Sequence, residues 1–143
     1  MIYCDTSFLA SLYLPADANH RAATKLARTF KAPMPLTLLG ELELANALQR
    51  AAQGKVITSH ELAVAISQIQ RDITDGFLER KSVNQTAQYK IAVELSHRRA
   101  SLLCRSLDIL HVSTALHLGT KSFATFDTRQ KQLARSEGLT TLP

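Results

Sequence analysis

The chain has 143 residues, a length that predicts one domain over 1–143 with a core large enough to stand without disulfide staples. Hydrophobic residues at 45% and charged residues at 20% exclude a disordered tail, a collagen-like chain and a coiled-coil rod. Lys and Arg outnumber Asp and Glu, 17 to 12, for a formal net charge of +5; this points to an anionic partner, whether nucleic acid, acidic protein or membrane surface.

In chain order, Met1 to Cys4 is apolar and reads as a strand that runs straight into Asp5-Thr6-Ser7. Helices are expected near 18–29 and over 38–52. Another is expected over 59–75, where Leu62, Ile66, Ile69 and Ile73 form one apolar stripe behind a Thr58/Glu61 capping box. The stripe suits the core, or else a partner. Phe77-Leu78 is a weak strand. Helices follow near 85–102, 107–118 and 128–137. Between the last two, Ser122 to Phe126 reads as a strand ending on Asp127, and Thr140 to Leu142 is a weak final strand. Gly54, Gly76, Gly119 and Gly138 stand where left-handed residues would end helices, which leaves no glycine-rich phosphate loop. Helices alternating with short apolar strands predict an α/β fold with a small parallel sheet.

Cys4 and Cys104 form no C-x-x-C pair, and His20, His60, His97, His111 and His117 show no zinc-ligand spacing with them. Both cysteines read as reduced, buried thiols. No apolar run reaches the roughly 20 residues that span a bilayer. The opening Met-Ile-Tyr-Cys-Asp lacks the basic and apolar regions of a signal peptide, so a cytoplasmic protein without membrane attachment is expected.

In an open α/β sheet, ligands gather at the carboxyl ends of strands. Asp5 and Asp127 both follow apolar strands and both precede helices. Each could simply cap its helix, as could Thr6 and Thr128. Brought together, the two acids would need a cation between them, and carboxylate oxygens suit Mg²⁺ or Mn²⁺. Asp108, in Ser106-Leu107-Asp108-Ile109-Leu110-His111, is either a first-turn residue favoured by the helix dipole or part of a site. Glu41 and Glu43 lie two apart on one helix, roughly 200° around it, so at most one faces a given site. His111, three residues after Asp108, reads as a packing or hydrogen-bonding residue.

Three segments together resemble the PIN-domain family, in the form found as VapC toxins of type II toxin–antitoxin modules. MIYCDTSFLASLYL resembles the opening strand with its Asp and hydroxyls. LTLLGELELANALQR resembles the Glu-bearing helix. CRSLDILHVSTALHLGTKSFATFDTRQ resembles the closing segment and is the most specific of the three. The resemblance covers essentially the whole chain. It implies a PIN-like fold, a small parallel sheet with helices on both faces, and an acidic cluster of Asp5, Glu43, Asp108 and Asp127 that binds Mg²⁺ or Mn²⁺ and cleaves RNA. The match of Glu43-Leu44-Ala45-Asn46-Ala47-Leu48 favours Glu43, whereas counting from Pro-Leu-Thr would pick Glu41. Thr6, Ser7 and Thr125 match supporting hydroxyl positions. Ser113-Thr114 depart from the small apolar residues common there, which touches helix packing and not the acids.

Four carboxylates carry about −4, which two divalent ions would offset. Asp5 and Asp127 are assigned as direct ligands, and Asp108 and Glu43 as direct or water-mediated ones. Arg105 and Arg129 are the candidates for holding RNA phosphates, whereas Arg98 and Arg99 read as solvated charges on a helix face. The resemblance further implies a cognate antitoxin whose C-terminal segment covers the site, and a homodimer. Two other readings compete: a non-catalytic PIN-like module that binds RNA or protein, and a signalling receiver domain. The latter lacks its adjacent acidic pair after the first strand and its lysine after the last.

Overall fold

The computed structural model describes residues 1–143. In chain order the elements are β1 (Ile2–Cys4), α1 (Thr6–Tyr13), α2 (His20–Ala27), β2 (Met34–Leu36), α3 (Leu38–Gln53), α4 (Ser59–Thr74), β3 (Leu78–Arg80), α5 (Gln85–Arg98), a 3₁₀ turn (Ala100–Leu102), α6 (Ser106–His117), β4 (Ser122–Ala124), α7 (Thr128–Ser136) and β5 (Thr140–Leu142). They fall into two compact units, Met1–Asp5 with Ser82–Pro143, and Thr6–Lys81. The α/β class and the parallel strands are as the sequence implies. The strands form a three-stranded and a two-stranded parallel ladder.

The first unit holds a three-stranded parallel sheet in the order β1-β4-β5. Phe123 on the central strand is fully buried and stacks on Tyr3 with ring centroids 5.5 Å apart. Leu95, Val112, Ala115, Leu133, Ala134 and Leu139 complete this core; burying each large apolar side chain stabilises by about 1.5–3 kcal/mol. Helix α6 is buried over five consecutive residues, His111 to Ala115. Ser113 and Thr114 tolerate that because their hydroxyls donate to the Leu110 carbonyl, and Thr114 also accepts from Gln88 Nε2 at 2.6 Å. His111 is buried, its Nδ1 2.8 Å from the Tyr3 hydroxyl, which fits a packing and hydrogen-bonding role. Arg98 and Arg99 both grip Glu137, at 2.7 and 2.8 Å. They fasten the end of α5 to the C-cap of α7 while their side chains stay partly solvated, as expected.

The second unit pairs β2 with β3 in parallel and packs α1 against α2, α3 and α4. The capping box of Thr58 and Glu61 opens α4 as expected. The stripe on α4 is narrower than its periodicity implies. Ala65 and Ile69 are buried, whereas Ile66 is 42% exposed, because the inward face runs through Leu62, Ala65 and Ile69. Strand β2 was not anticipated. At the end of α3, Gly54 is the C-cap with φ −76°, and Lys55 takes the left-handed conformation instead. Gly76, Gly119 and Gly138 do adopt positive φ as expected. No helix is long and apolar enough to cross a membrane.

Candidate active site

The parallel register of β1 and β4 sets Cys4 opposite Ala124, so the residues that leave the two strands emerge side by side at their carboxyl ends. The Asp5 amide continues the ladder by donating to the Ala124 carbonyl at 3.1 Å. Asp5 is fully buried, and the Thr125 hydroxyl donates to its Oδ2 at 2.7 Å. The same Thr125 oxygen accepts from the Asp127 amide at 2.9 Å. Asp127 in turn caps α7, its Oδ1 accepting from the amides of Arg129 and Gln130. Gln130 Nε2 then reaches Asp108 Oδ1 at 3.2 Å, while Asp108 Oδ2 accepts from the Arg105 amide in the first turn of α6. One continuous run of hydrogen bonds therefore joins Asp5, Thr125, Asp127, Gln130 and Asp108. The bland roles weighed for Asp127 and Asp108, helix cap and first-turn residue, are both real, and neither removes the residue from this run.

The electrostatics agree with that grouping. Neither Asp108 nor Asp127 forms an ion pair with a lysine or arginine. The half-buried Cys104, which was expected to be buried, has its thiol pKa raised by burial and then by the negative charges of Asp108 and Asp127, with Arg129 opposing. Burial, and next the charge of Asp5, push the Cys4 thiol well above its ordinary value. Both thiols are thereby kept protonated and are poor nucleophiles.

In the second unit, Thr6 Oγ1 donates to Glu43 Oε2 at 2.8 Å. Thr6 is the residue after Asp5. Ser7 follows in the first turn of α1, its carbonyl accepting from the Ser11 hydroxyl. Glu41 is engaged otherwise: Arg80 clamps it through two nitrogens at 2.7 and 3.2 Å, and that hydrogen bonding lowers its pKa. Arg105 and Arg129 are exposed.

No three His, Cys, Asp or Glu side chains are gathered closely enough to form a ready-made metal cage. The donor set nonetheless fits a hard divalent cation, since Mg²⁺ takes one or two carboxylates and keeps several waters. The sequence did not single out Gln130. Its signal is the Asp127-x-x-Gln130 spacing of a capping box, which says nothing of a contact with Asp108.

The sequence model of the PIN domain matches residues 2–136, a span that includes Asp5, Glu41, Glu43, Asp108 and Asp127. Among solved structures, the chain is similar to VapC20 of Mycobacterium tuberculosis, a toxin that cleaves the sarcin–ricin loop. The TM-score is 0.71 at 18% identity, covering 92% of this chain and 94% of that one. It is also similar to FitAcB from Neisseria gonorrhoeae, with a TM-score of 0.68 at 16% identity, covering 100% and 97%. At these identities the likeness is one of fold. No curated protein matches the sequence.

Proposed function

The chain belongs to the PIN-domain family, and from that premise we propose that it is a Mg²⁺- or Mn²⁺-dependent endoribonuclease, the toxin of a type II toxin–antitoxin pair. The observation that carries this reading is the hydrogen-bonded run from Asp5 through Thr125, Asp127 and Gln130 to Asp108 at the carboxyl ends of β1 and β4. Three acids tied into one network, two of them without cationic partners, are a poor stability device and a good receptor for a divalent ion.

Asp5, Asp108 and Asp127 are the proposed ligands in the first unit, and Glu43 the fourth acid. Thr125 holds Asp5 in place. Thr6 does the same for Glu43, which supports Glu43 over the Arg80-bound Glu41. Ser7 is the remaining supporting hydroxyl. A divalent ion held by these acids would supply a water acidified toward neutral pH and would offset charge on the phosphate. Arg105 and Arg129, exposed beside Asp108 and Asp127 in sequence, are the proposed phosphate contacts. A cognate antitoxin that covers the site, a homodimer and a cytoplasmic location belong to the same proposal.

Purified protein incubated with RNA in Mg²⁺, in Mn²⁺ and in chelator, beside Asp5→Asn and Asp127→Asn, tests it. The sarcin–ricin loop, which VapC20 cleaves, is the RNA to try first, and total cellular RNA the second. Discrete fragments that vanish with chelator and in both folded variants are expected. Full cleavage by both variants overturns the site assignment. Failure to bind Mn²⁺ and to cut either RNA would favour a non-catalytic module.

A further inference from the structure

Asp127 at the N-cap of α7 and Gln130 three residues on have the spacing of a capping box. In that motif the glutamine side chain folds back and accepts from the N-cap amide. Here it does not. The Asp127 amide is taken by Thr125 Oγ1 at 2.9 Å, and the Gln130 side chain turns to Asp108, with Nε2 3.2 Å from Oδ1. The residue is only 6% exposed, and its amide oxygen has no hydrogen-bond partner.

An unmatched buried acceptor destabilises a fold. Rotating the amide would not remove the problem, because it would set Oε1 against the Asp108 carboxylate, acceptor to acceptor. The orientation is therefore dictated by Asp108. A residue selected only for packing would be apolar at this depth. We propose that Gln130 is a positioning residue of the carboxylate site: its backbone N–H holds Asp127, its side-chain N–H holds Asp108, and through both it fixes the spacing of two acids that receive a divalent ion. The inference rests on the reading of these acids as a metal site, and it assigns Gln130 a role outside catalysis proper.

The test is Mn²⁺ titration by calorimetry of the full chain, alongside thermal unfolding without metal. The proteins are wild type, Asp5→Asn, Gln130→Met and Gln130→Leu. Both Gln130 variants keep the backbone N–H that caps with Asp127, and lose only the donor to Asp108 and the unmatched oxygen. The expected result is a Kd for Mn²⁺ raised about 10–100-fold, the usual effect of removing a residue that orients a ligand. Their unfolding temperature should be unchanged or higher than that of wild type. Wild-type Mn²⁺ affinity in the Gln130 variants, with binding lost in Asp5→Asn, overturns this proposal and leaves the metal site standing. Failure of both Gln130 variants to fold overturns it too, making Gln130 a residue of the core. No Mn²⁺ binding by wild type removes the metal reading and this proposal with it.

Discussion

Thr125 sits at the centre of the carboxylate network, donating to Asp5 and accepting from the Asp127 amide with its hydroxyl fully buried. Thr125→Val keeps the side-chain shape and removes both bonds, leaving a buried carboxylate short of one donor and an amide without its acceptor. The expected cost is about 1–3 kcal/mol, read as a lower urea midpoint with an unchanged slope. Thr125→Ser should recover most of it. Full stability in Thr125→Val with loss in Thr125→Ser would mean that the methyl, and not the hydroxyl, matters there. The placement of Asp5 and Asp127 was legible in the sequence, since each follows a strand-like run and precedes a helix. Gln130 was not, because the contact that gives it meaning is with Asp108, 22 residues away. Its local pattern predicts a cap that Thr125 has already filled.

Secondary structure was legible wherever a segment carries its own period or stop signal. The Thr58/Glu61 box fixes the start of α4, strands β1 and β4 lie where short apolar runs stand, and β5 lies at the weak final strand of Thr140 to Leu142. Strand β2 was missed for a physical reason. Met34-Pro35-Leu36 is three residues long, and its proline cannot donate to a ladder. It is tolerated because β2 has a single neighbour, β3. The left-handed residues were only partly legible: Lys55, not Gly54, takes positive φ, and so does Leu103 after the 3₁₀ turn. Leu103 has φ 50° and is 78% exposed, so its side chain contributes little packing to offset the strain. That strain is roughly 1–2 kcal/mol for an L-residue, against about 0.5–1 kcal/mol for the extra freedom glycine loses on folding. Leu103→Gly is therefore expected to stabilise by up to about 1.5 kcal/mol, seen as a higher urea midpoint. A fall instead would show that the exposed leucine makes a contact worth more than its strain.

At the scale of the whole molecule, the proposed nuclease site would have to attract a polyanion, and the surplus of +5 supplies the pull only where its charges are not already engaged. Arg98 and Arg99 are committed to Glu137, and Arg80 to Glu41. Arg105 and Arg129 are exposed and carry no ion pair. RNA affinity should then fall linearly with salt on a log–log plot, each phosphate contact contributing roughly 0.7 to the slope for a single strand. Arg105→Gln and Arg129→Gln should each weaken binding and flatten the plot by about that amount. Arg98→Gln and Arg99→Gln should leave the slope alone while loosening the tie between α5 and α7, lowering the unfolding temperature. Binding measured across a salt series in the Asp5→Asn variant, which the proposed site predicts to be inactive, separates the two pairs. A slope changed by Arg98→Gln and untouched by Arg129→Gln would place the RNA on a different face of the chain, away from Asp127.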